Sequence, residues 1–192
     1  MEKIKILGAC IALIADGWIF YGIWKSSIKE QNFSTWLLWG MLDCITTFTI
    51  ILQHGNYALC AVYTICSFSI AILLFIKKEI KWELVDSLTA GAVVVCLGVW
   101  IYLGNEATTI TGTTAVIISG LPLAVTTFKY PHLAPTKVYF LFCVASILSL
   151  IAAKDWSIKE SLYPEGTLGI SITFTTLSLR KPKRGPLRAV VH

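Results

Sequence analysis

The feature that most constrains this chain is the recurrence of apolar runs about twenty residues long, joined by connections too short to hold a further domain. As an α-helix, a run of that length rises about 30 Å, the thickness of a bilayer's hydrocarbon core. A lone strand cannot make the same crossing, because its backbone N–H and C=O groups would lie unpaired in lipid. The spacing predicts helices at about 4–24, 35–52, 57–76, 84–103, 108–128, 137–153 and 162–179. The last is the least regular. Pro164, Glu165 and Gly166 stand near its start, and Ser171-Ile172-Thr173-Phe174-Thr175 alternates like a strand. The lipid argument assigns it a helix all the same. Of the 192 residues, 56% are hydrophobic and only 14% charged, which leaves too little polar surface to wrap a water-soluble fold of this size.

The charges that remain carry direction. The net charge is +5, and the basic residues fall between apolar runs or in the last thirteen residues, a pattern of membrane topology rather than of nucleic-acid binding. If the chain threads back and forth, Lys25, Lys29, Lys77, Lys78, Lys81, Lys129, Lys137, Arg180, Lys181, Lys183, Arg184 and Arg188 share one side, twelve in all. Lys3, Lys5, Lys154 and Lys159 make four on the other. The positive-inside rule then puts the N-terminus outside and the C-terminus in the cytoplasm, as an odd number of spans requires. The basic tail 181–192 serves as an orientation signal and suits anionic lipid headgroups. Trp24, Trp36, Trp82, Tyr102, Tyr130, Tyr139 and Trp156 stand near helix ends, as interfacial aromatics do. The stretch Ile6–Trp24 is long for the apolar core of a signal peptide, is interrupted by Asp16, and is followed by no A-x-A site, so an uncleaved first helix is expected. The six cysteines lie in or beside apolar runs without zinc-site spacing and read as free packing thiols.

The chain also repeats. Shifted by 100 positions, the second predicted helix falls on the sixth, with Trp39 on Tyr139, Thr46 on Ser146, Thr49 on Ser149 and Ile51 on Ile151. The third falls on the seventh at a shift of 103, where Lys77 meets Arg180. Each triplet has a basic loop after its first helix and ends in a basic cluster, and the fourth helix has no counterpart. Two triplets of equal orientation are parallel repeats about an axis along the membrane normal. The expected fold is therefore all-α and integral to the membrane, with seven helices as 3+1+3. Residues 1–81 form the first repeat, 82–106 the linker helix, 107–180 the second repeat and 181–192 the tail.

In this layout the chain resembles the SWEET and PQ-loop (MtN3-like) superfamily. Tyr21-Gly22-Ile23-Trp24-Lys25-Ser26-Ser27, followed by Gln31-Asn32-Phe33-Ser34-Thr35-Trp36, is similar to the segment around that family's Pro-Gln dipeptide, and Leu121-Pro122-Leu123 to the same site in the second half. The Pro-Gln dipeptide itself is absent. Of four hinge prolines typical of sugar-transporting members, Pro122 matches, with Pro135 a weaker counterpart. Where those members carry an asparagine pair, this chain has Tyr63-Thr64 and Thr167-Gly169. The resemblance implies a transporter and does not carry sugar specificity with it.

Asp43 is the most informative single residue, since a carboxylate near the bilayer centre costs roughly 2.5–3.5 kcal/mol on insertion scales. Trp36 and Trp39 precede it at i−7 and i−4 and Thr47 follows at i+4, so all four share a helical face suited to an amphipathic or cationic solute. The plainer alternative bonds Asp43 to a Ser or Thr of a neighbouring helix. Tyr63 and Tyr139 join the candidate solute contacts. Asp16, just past the middle of the first helix, is a candidate for coupling or gating by a proton or cation; otherwise it pairs with polar groups on the second or third helix. Pro122, after Gly120, removes a backbone hydrogen bond and is a candidate hinge. Thr113, Thr114, Thr173 and Thr176 read as helix–helix contacts.

No H-E-x-x-H, G-x-S-x-G or P-loop pattern occurs, so an enzyme is not expected, nor is a cofactor or a metal. The first expectation is a multi-pass transporter of the cell membrane, moving a small polar or amphipathic solute by alternating access, with a proton as candidate coupling ion. The alternatives are a receptor or cargo-binding protein on the same scaffold and a non-transporting subunit of a complex. Lipids and a small-molecule solute are the expected partners, without nucleic acid, and homo-oligomerisation is left open.

Overall fold

The computed structural model describes residues 1–28, 31, 33–80, 82 and 84–180, with backbone alone at Val85, Pro122 and Leu133. Lys29, Lys81 and the basic tail 181–192 lie outside the described residues. Helices occupy every range that the apolar spacing predicts. They are α1 Glu2–Trp24, α2 Phe33–Leu52, α3 Ala58–Ile76, α4 Leu84–Ser119, α5 Leu121–Lys129, α6 Thr136–Ile151 and α7 Tyr163–Ser178, and no strand occurs among the described residues. Residues 171–175, strand-like in pattern, are helical. A single π-helical turn, Ile158–Leu162, leads into α7.

Four segments are long and apolar enough to cross a membrane: Glu2–Trp24, Phe33–Leu52, Ala58–Ile76 and Asp86–Lys129; Thr136–Ile151 is apolar but shorter. The outward surface suits lipid and not water. Leu88 is 68% exposed, Val94 69% and Ile101 78%, among many large apolar side chains left uncovered. These are the marks of a membrane protein.

Local chemistry sets the helix ends. The residues after α1, α2 and α3 include Ser26, His54 and Lys78 at positive φ (56°, 56° and 60°). The next N–H in each case reaches back five residues, from Ser27 to Gly22, Gly55 to Ile50 and Glu79 to Leu74, which closes the helix in a Schellman arrangement. None of the three left-handed positions is glycine, so each stop costs about 1–2 kcal/mol that the hydrogen bonds must offset. Lys77 completes the first stop from across the bundle. Its Nζ donates to the carbonyls of Ile23 (2.7 Å) and Trp24 (2.8 Å), so this lysine caps a helix as well as marking a side.

Gly104 divides α4 into arms 84–103 and 105–119 with φ 80° and ψ −170°. Val93 and Cys96 of the first arm pack with Ala115 of the second and with Leu38, Leu42 and Ile45 of α2, so the chain reverses at this one residue. The second arm begins at once, without the loop expected before residue 108. In space α3 lies between α1 and α2, α6 packs on α1 and α7, and α2 packs along α4. Two glycines permit close approach between helices: a Cβ at Gly8 would stand 3.0 Å from the Ala145 carbonyl oxygen, and one at Gly112 would strike the Thr46 hydroxyl.

Other expectations are corrected by burial. Trp36 (8% exposed) and Tyr139 (5%) face inward instead of joining the interfacial belt, where Trp24, Trp82, Tyr102, Tyr130 and Trp156 remain exposed. Thr114 and Thr173 are exposed and bond carbonyls of their own helices, and Thr176 is exposed too; only Thr113 of that set is buried. Hydroxyl contacts between helices come instead from Thr47–Thr64 (3.1 Å), Thr49–Thr109 (3.0 Å) and Ser146–Thr167 (3.0 Å), because those positions lie on buried faces.

The reversal at Gly104 gives a clean test. Neither Gly104 nor Gly91 has anything within 4 Å of an added Cβ, and they differ in backbone conformation. Gly104→Ala is expected to destabilise the protein by about 1–3 kcal/mol, since that φ/ψ region is nearly closed to other residues. Gly91→Ala, in regular helix, should leave stability unchanged or raise it. Thermal unfolding in detergent decides, and equal melting temperatures for the two variants would contradict the role given to Gly104.

Candidate functional site

Helical periodicity brings the two intramembrane acids to one place. On α1, Ala12, Ala15, Asp16, Ile19 and Ile23 form the buried stripe, and on α2, Trp36, Trp39 and Asp43 turn inward at i, i+3 and i+7. Asp16 and Asp43 are each only 4% exposed, and both line one cavity of about 130 Å³. Asp43 Oδ1 accepts a hydrogen bond from the Tyr163 hydroxyl at 2.7 Å, and Tyr163 is itself 1% exposed at the start of α7. Asp16 Oδ2 is buried with no partner among the described residues. The partner of Asp43 is thus a tyrosine, not the serine or threonine of the plainer alternative.

Aromatic rings make the walls. Trp36 and Trp39 meet edge to face with centroids 5.5 Å apart, and the Trp36 indole N–H donates to Gln31 Oε1 at 2.9 Å. Tyr63 stands between Phe142 (5.5 Å) and Tyr163 (6.3 Å), and Tyr139 lies 5.2 Å from Phe174. The Trp39 indole N–H is buried and has no partner among the described residues. Ser67, Thr167 and Ser171 supply the remaining polar lining. No lysine, arginine or histidine is among the described lining residues. Such a chamber favours a positive or neutral guest with a flat apolar body.

The two ends of the cavity differ. Ile28, Gln31 and Pro135 line it, so it extends toward the end of the bundle that carries the connections after α1 and α5. The opposite end is bonded shut. Lys5 Nζ meets Glu160 Oε2 at 3.3 Å with both side chains buried, and the Lys154 N–H donates to the same oxygen at 3.1 Å. Asn56 Nδ2 donates to the Ser149 carbonyl and hydroxyl, both at 3.1 Å, and the Asn56 N–H donates to the Lys159 carbonyl at 3.0 Å. Gly55 lies so close to Lys159 that a Cβ would strike it. Gln53 Nε2 donates to Thr109 Oγ1 at 2.8 Å.

Of the residues singled out in the sequence, Asp16, Trp36, Trp39, Asp43, Tyr63 and Tyr139 all line the cavity. Thr47 does not. It turns toward α3, where its hydroxyl pairs with Thr64, because residue i+4 from Asp43 has drifted around the helix toward that neighbour. Pro122 lies in the first turn of α5, just after the break at Gly120, and Gly120 and Leu123 on either side reach the cavity. Lys5, taken as a topology charge, is a buried ion-pair partner instead. Sequence reasoning passed over Tyr163, Phe142, Phe174 and Gln31. Tyr163 offered a signal, a phenol directly before a helix-starting Pro164; the phenylalanines offered none beyond apolarity. Comparison with protein-family models, curated proteins and solved structures found no match.

Breaking the buried ion pair from one side strands a charge, which typically costs about 3–5 kcal/mol, whereas replacing both partners by apolar groups is often neutral. Lys5→Met and Glu160→Leu are each expected to lower the melting temperature markedly, and the double variant to recover most of the loss. A double variant no better than the worse single one would show that the pair is not a closed unit.

Proposed function

We propose that this chain is a membrane transporter that moves a small polar or amphipathic solute by alternating access, on a seven-span 3+1+3 scaffold of the SWEET and PQ-loop kind. The observation that carries the reading is the cavity itself. Both triplets line it, both intramembrane acids face it, and among the described residues the hydrogen bonds that join the halves gather toward one end. Acids inside a bilayer are costly to keep, and a solute or ion pathway is the usual return on that cost.

The packing supports the repeat. The third helix of the first triplet lies between its first two, and α7 contacts both α5 and α6. Across the halves, α1 meets α6 at Gly8 and Ala145, and the second arm of α4 meets α2 at Gly112 and Thr46. First helix thus packs on second helix in both directions, as an axis along the membrane normal requires.

The hydrogen bonds between halves run from Asp43–Tyr163 outward through Thr49–Thr109 and Asn56–Ser149 to Lys5–Glu160. All lie on the side away from the basic loops. With those loops cytoplasmic, the arrangement corresponds to a state sealed outside with its site directed inward. Rocking the halves breaks the outer bonds and opens the site to the other side, with Gly120 and Pro122 as the flexing point. Asp43, Trp36, Trp39, Tyr63 and Tyr139 contact solute, and Asp16 couples or gates.

Reconstituted vesicles test this. Saturable uptake is expected from a panel of small radiolabelled solutes, and Asp16→Asn and Asp43→Asn should each reduce it at least about tenfold, the loss of one charge-assisted bond. Wild-type rates in both variants would remove the roles given to the two acids, and saturable binding with no flux would favour a receptor on the same scaffold.

A further inference from the structure

The solute class follows from which hydrogen-bonding capacity the cavity has left over, and this inference rests on the cavity being the transport site. We propose that its solute is a small primary or secondary ammonium ion on an apolar, ring-like body, held by an N–H bond to Asp16.

Three hydroxyl donors around the chamber, on Tyr163, Thr167 and Ser171, are already committed. Ser171 Oγ donates to the Thr167 carbonyl at 2.7 Å. Thr167 Oγ1 lies 3.1 Å from the carbonyls of both Tyr163 and Pro164. The Tyr163 hydroxyl gives its proton to Asp43. A hydroxyl that has spent its hydrogen can still accept. These three hydroxyls can then offer a guest only acceptors, the buried Trp39 N–H has no partner among the described residues, and Gln31, Tyr63, Ser67 and Tyr139 complete the polar lining. A sugar or polyol brings acceptors and donors in equal number and would leave many of its oxygens unpaired against apolar walls, at a cost for each. A carboxylate or phosphate would face two acids and no base. An ammonium brings donors and positive charge alone.

Its anchor is the buried Asp16 Oδ2, which has no partner among the described residues. Asp43, in the same cavity, contacts that solute as well and adds its field, and Asp16 gates through the solute it holds. The faces of Trp36, Trp39 and Tyr63 receive the apolar body and part of the charge. Trp39 Nε1 adds a place for one acceptor atom on the solute. An inorganic cation is a poorer match, because it needs several oxygens in a shell and these walls are mostly carbon.

Full-length protein purified in detergent is titrated with phenethylamine, its N-methyl and N,N,N-trimethyl derivatives, phenethyl alcohol, phenylacetate and sodium chloride, with thermal stability and tryptophan fluorescence as readouts. The primary and secondary amines are expected to bind saturably. The trimethyl derivative, which has no N–H, should bind at least about tenfold more weakly, and the alcohol, the acid and sodium should not saturate. Asp16→Asn should abolish the preference for N–H over trimethyl. Should that variant not fold, Trp39→Phe with a hydroxylated amine reads the second contact, and its affinity should fall while that of phenethylamine stays. Equal binding of amine and trimethyl derivative, equal binding of the alcohol, or no amine binding overturns the proposal. Amine binding without vesicle flux counts against transport and leaves the ligand class standing. Saturable sugar flux that amines do not inhibit does the reverse.

Discussion

In a bilayer no water stands ready to satisfy a polar group, so each one must be paired within the protein. The whole structure is organised around that rule. Hydroxyls on the helices return to carbonyls one turn back: Thr46 to Leu42, Thr64 to Cys60, Thr108 to Gly104 and Thr175 to Ser171. Those on buried faces also pair across helices, and the carboxamide of Asn56 spans to Ser149. Helix ends follow the rule as well, through the reach-back bonds at Ser27, Gly55 and Glu79 and the Lys77 ammonium over α1. Among the described residues five buried side-chain atoms lack a partner, on Asp16, Trp39, Asn56, Thr113 and Ser157, and of these Asp16 Oδ2 and Trp39 Nε1 belong to residues lining the same cavity.

The same rule explains how the end of the bundle away from the basic loops is held. Apolar packing between helices gains little in lipid, because lipid tails are as apolar as leucine. Polar bonds and close backbone approach then decide which surfaces adhere. The seal at Lys5–Glu160, Asn56–Ser149 and Gly55–Lys159 uses both. A contact built from a few directional bonds can also be broken as a unit, which a broad apolar interface cannot, and this makes it suitable for a gate.

Much of this was legible in the sequence, for identifiable reasons. Apolar run length located the helices because lipid exposure leaves little room for other solutions. The cost of burying a carboxylate singled out Asp16 and Asp43, and the i, i+3, i+7 spacing put Trp36 and Trp39 beside Asp43. Length and cost are local quantities. What a residue meets on another helix is not local, and there the reading failed. Lys5 looked like a surface charge because its partner Glu160 lies 155 positions away. Tyr163 lies 120 positions from Asp43, and nothing along the chain links the two. Trp36 and Tyr139 were counted with the interfacial aromatics because nearness to a helix end cannot tell an inward face from an outward one. The stops at Ser26, His54 and Lys78 lacked the glycine that usually signals them.

The proposed repeat sharpens how work is divided between the halves. At the shift of 100 that aligns α2 with α6, Asp43 corresponds to Cys143, and the Gly8–Gly112 correspondence places Asp16 opposite Gly120. Both acids therefore belong to the first half, and the second half has a small residue at each matching position. The second half carries the irregular backbone instead: the break at Gly120, Pro122 after it, and the π-helical turn Ile158–Leu162 that delivers both Glu160 and Tyr163. Charge that recognises a solute needs a rigid mount, and motion needs weak points in the backbone. In the proposed transporter, separating the two would let the second half move without disturbing the carboxyl geometry of the first. Tyr163 is where they meet, since its hydroxyl holds Asp43 while its backbone continues from the turn that holds the outer seal. A solute that draws on Asp43 competes with Tyr163 for the same carboxylate, and any loosening of Tyr163 is felt one turn away at Glu160. In the proposed transport cycle, solute binding and the opening of the far end are linked through the four residues from Glu160 to Tyr163.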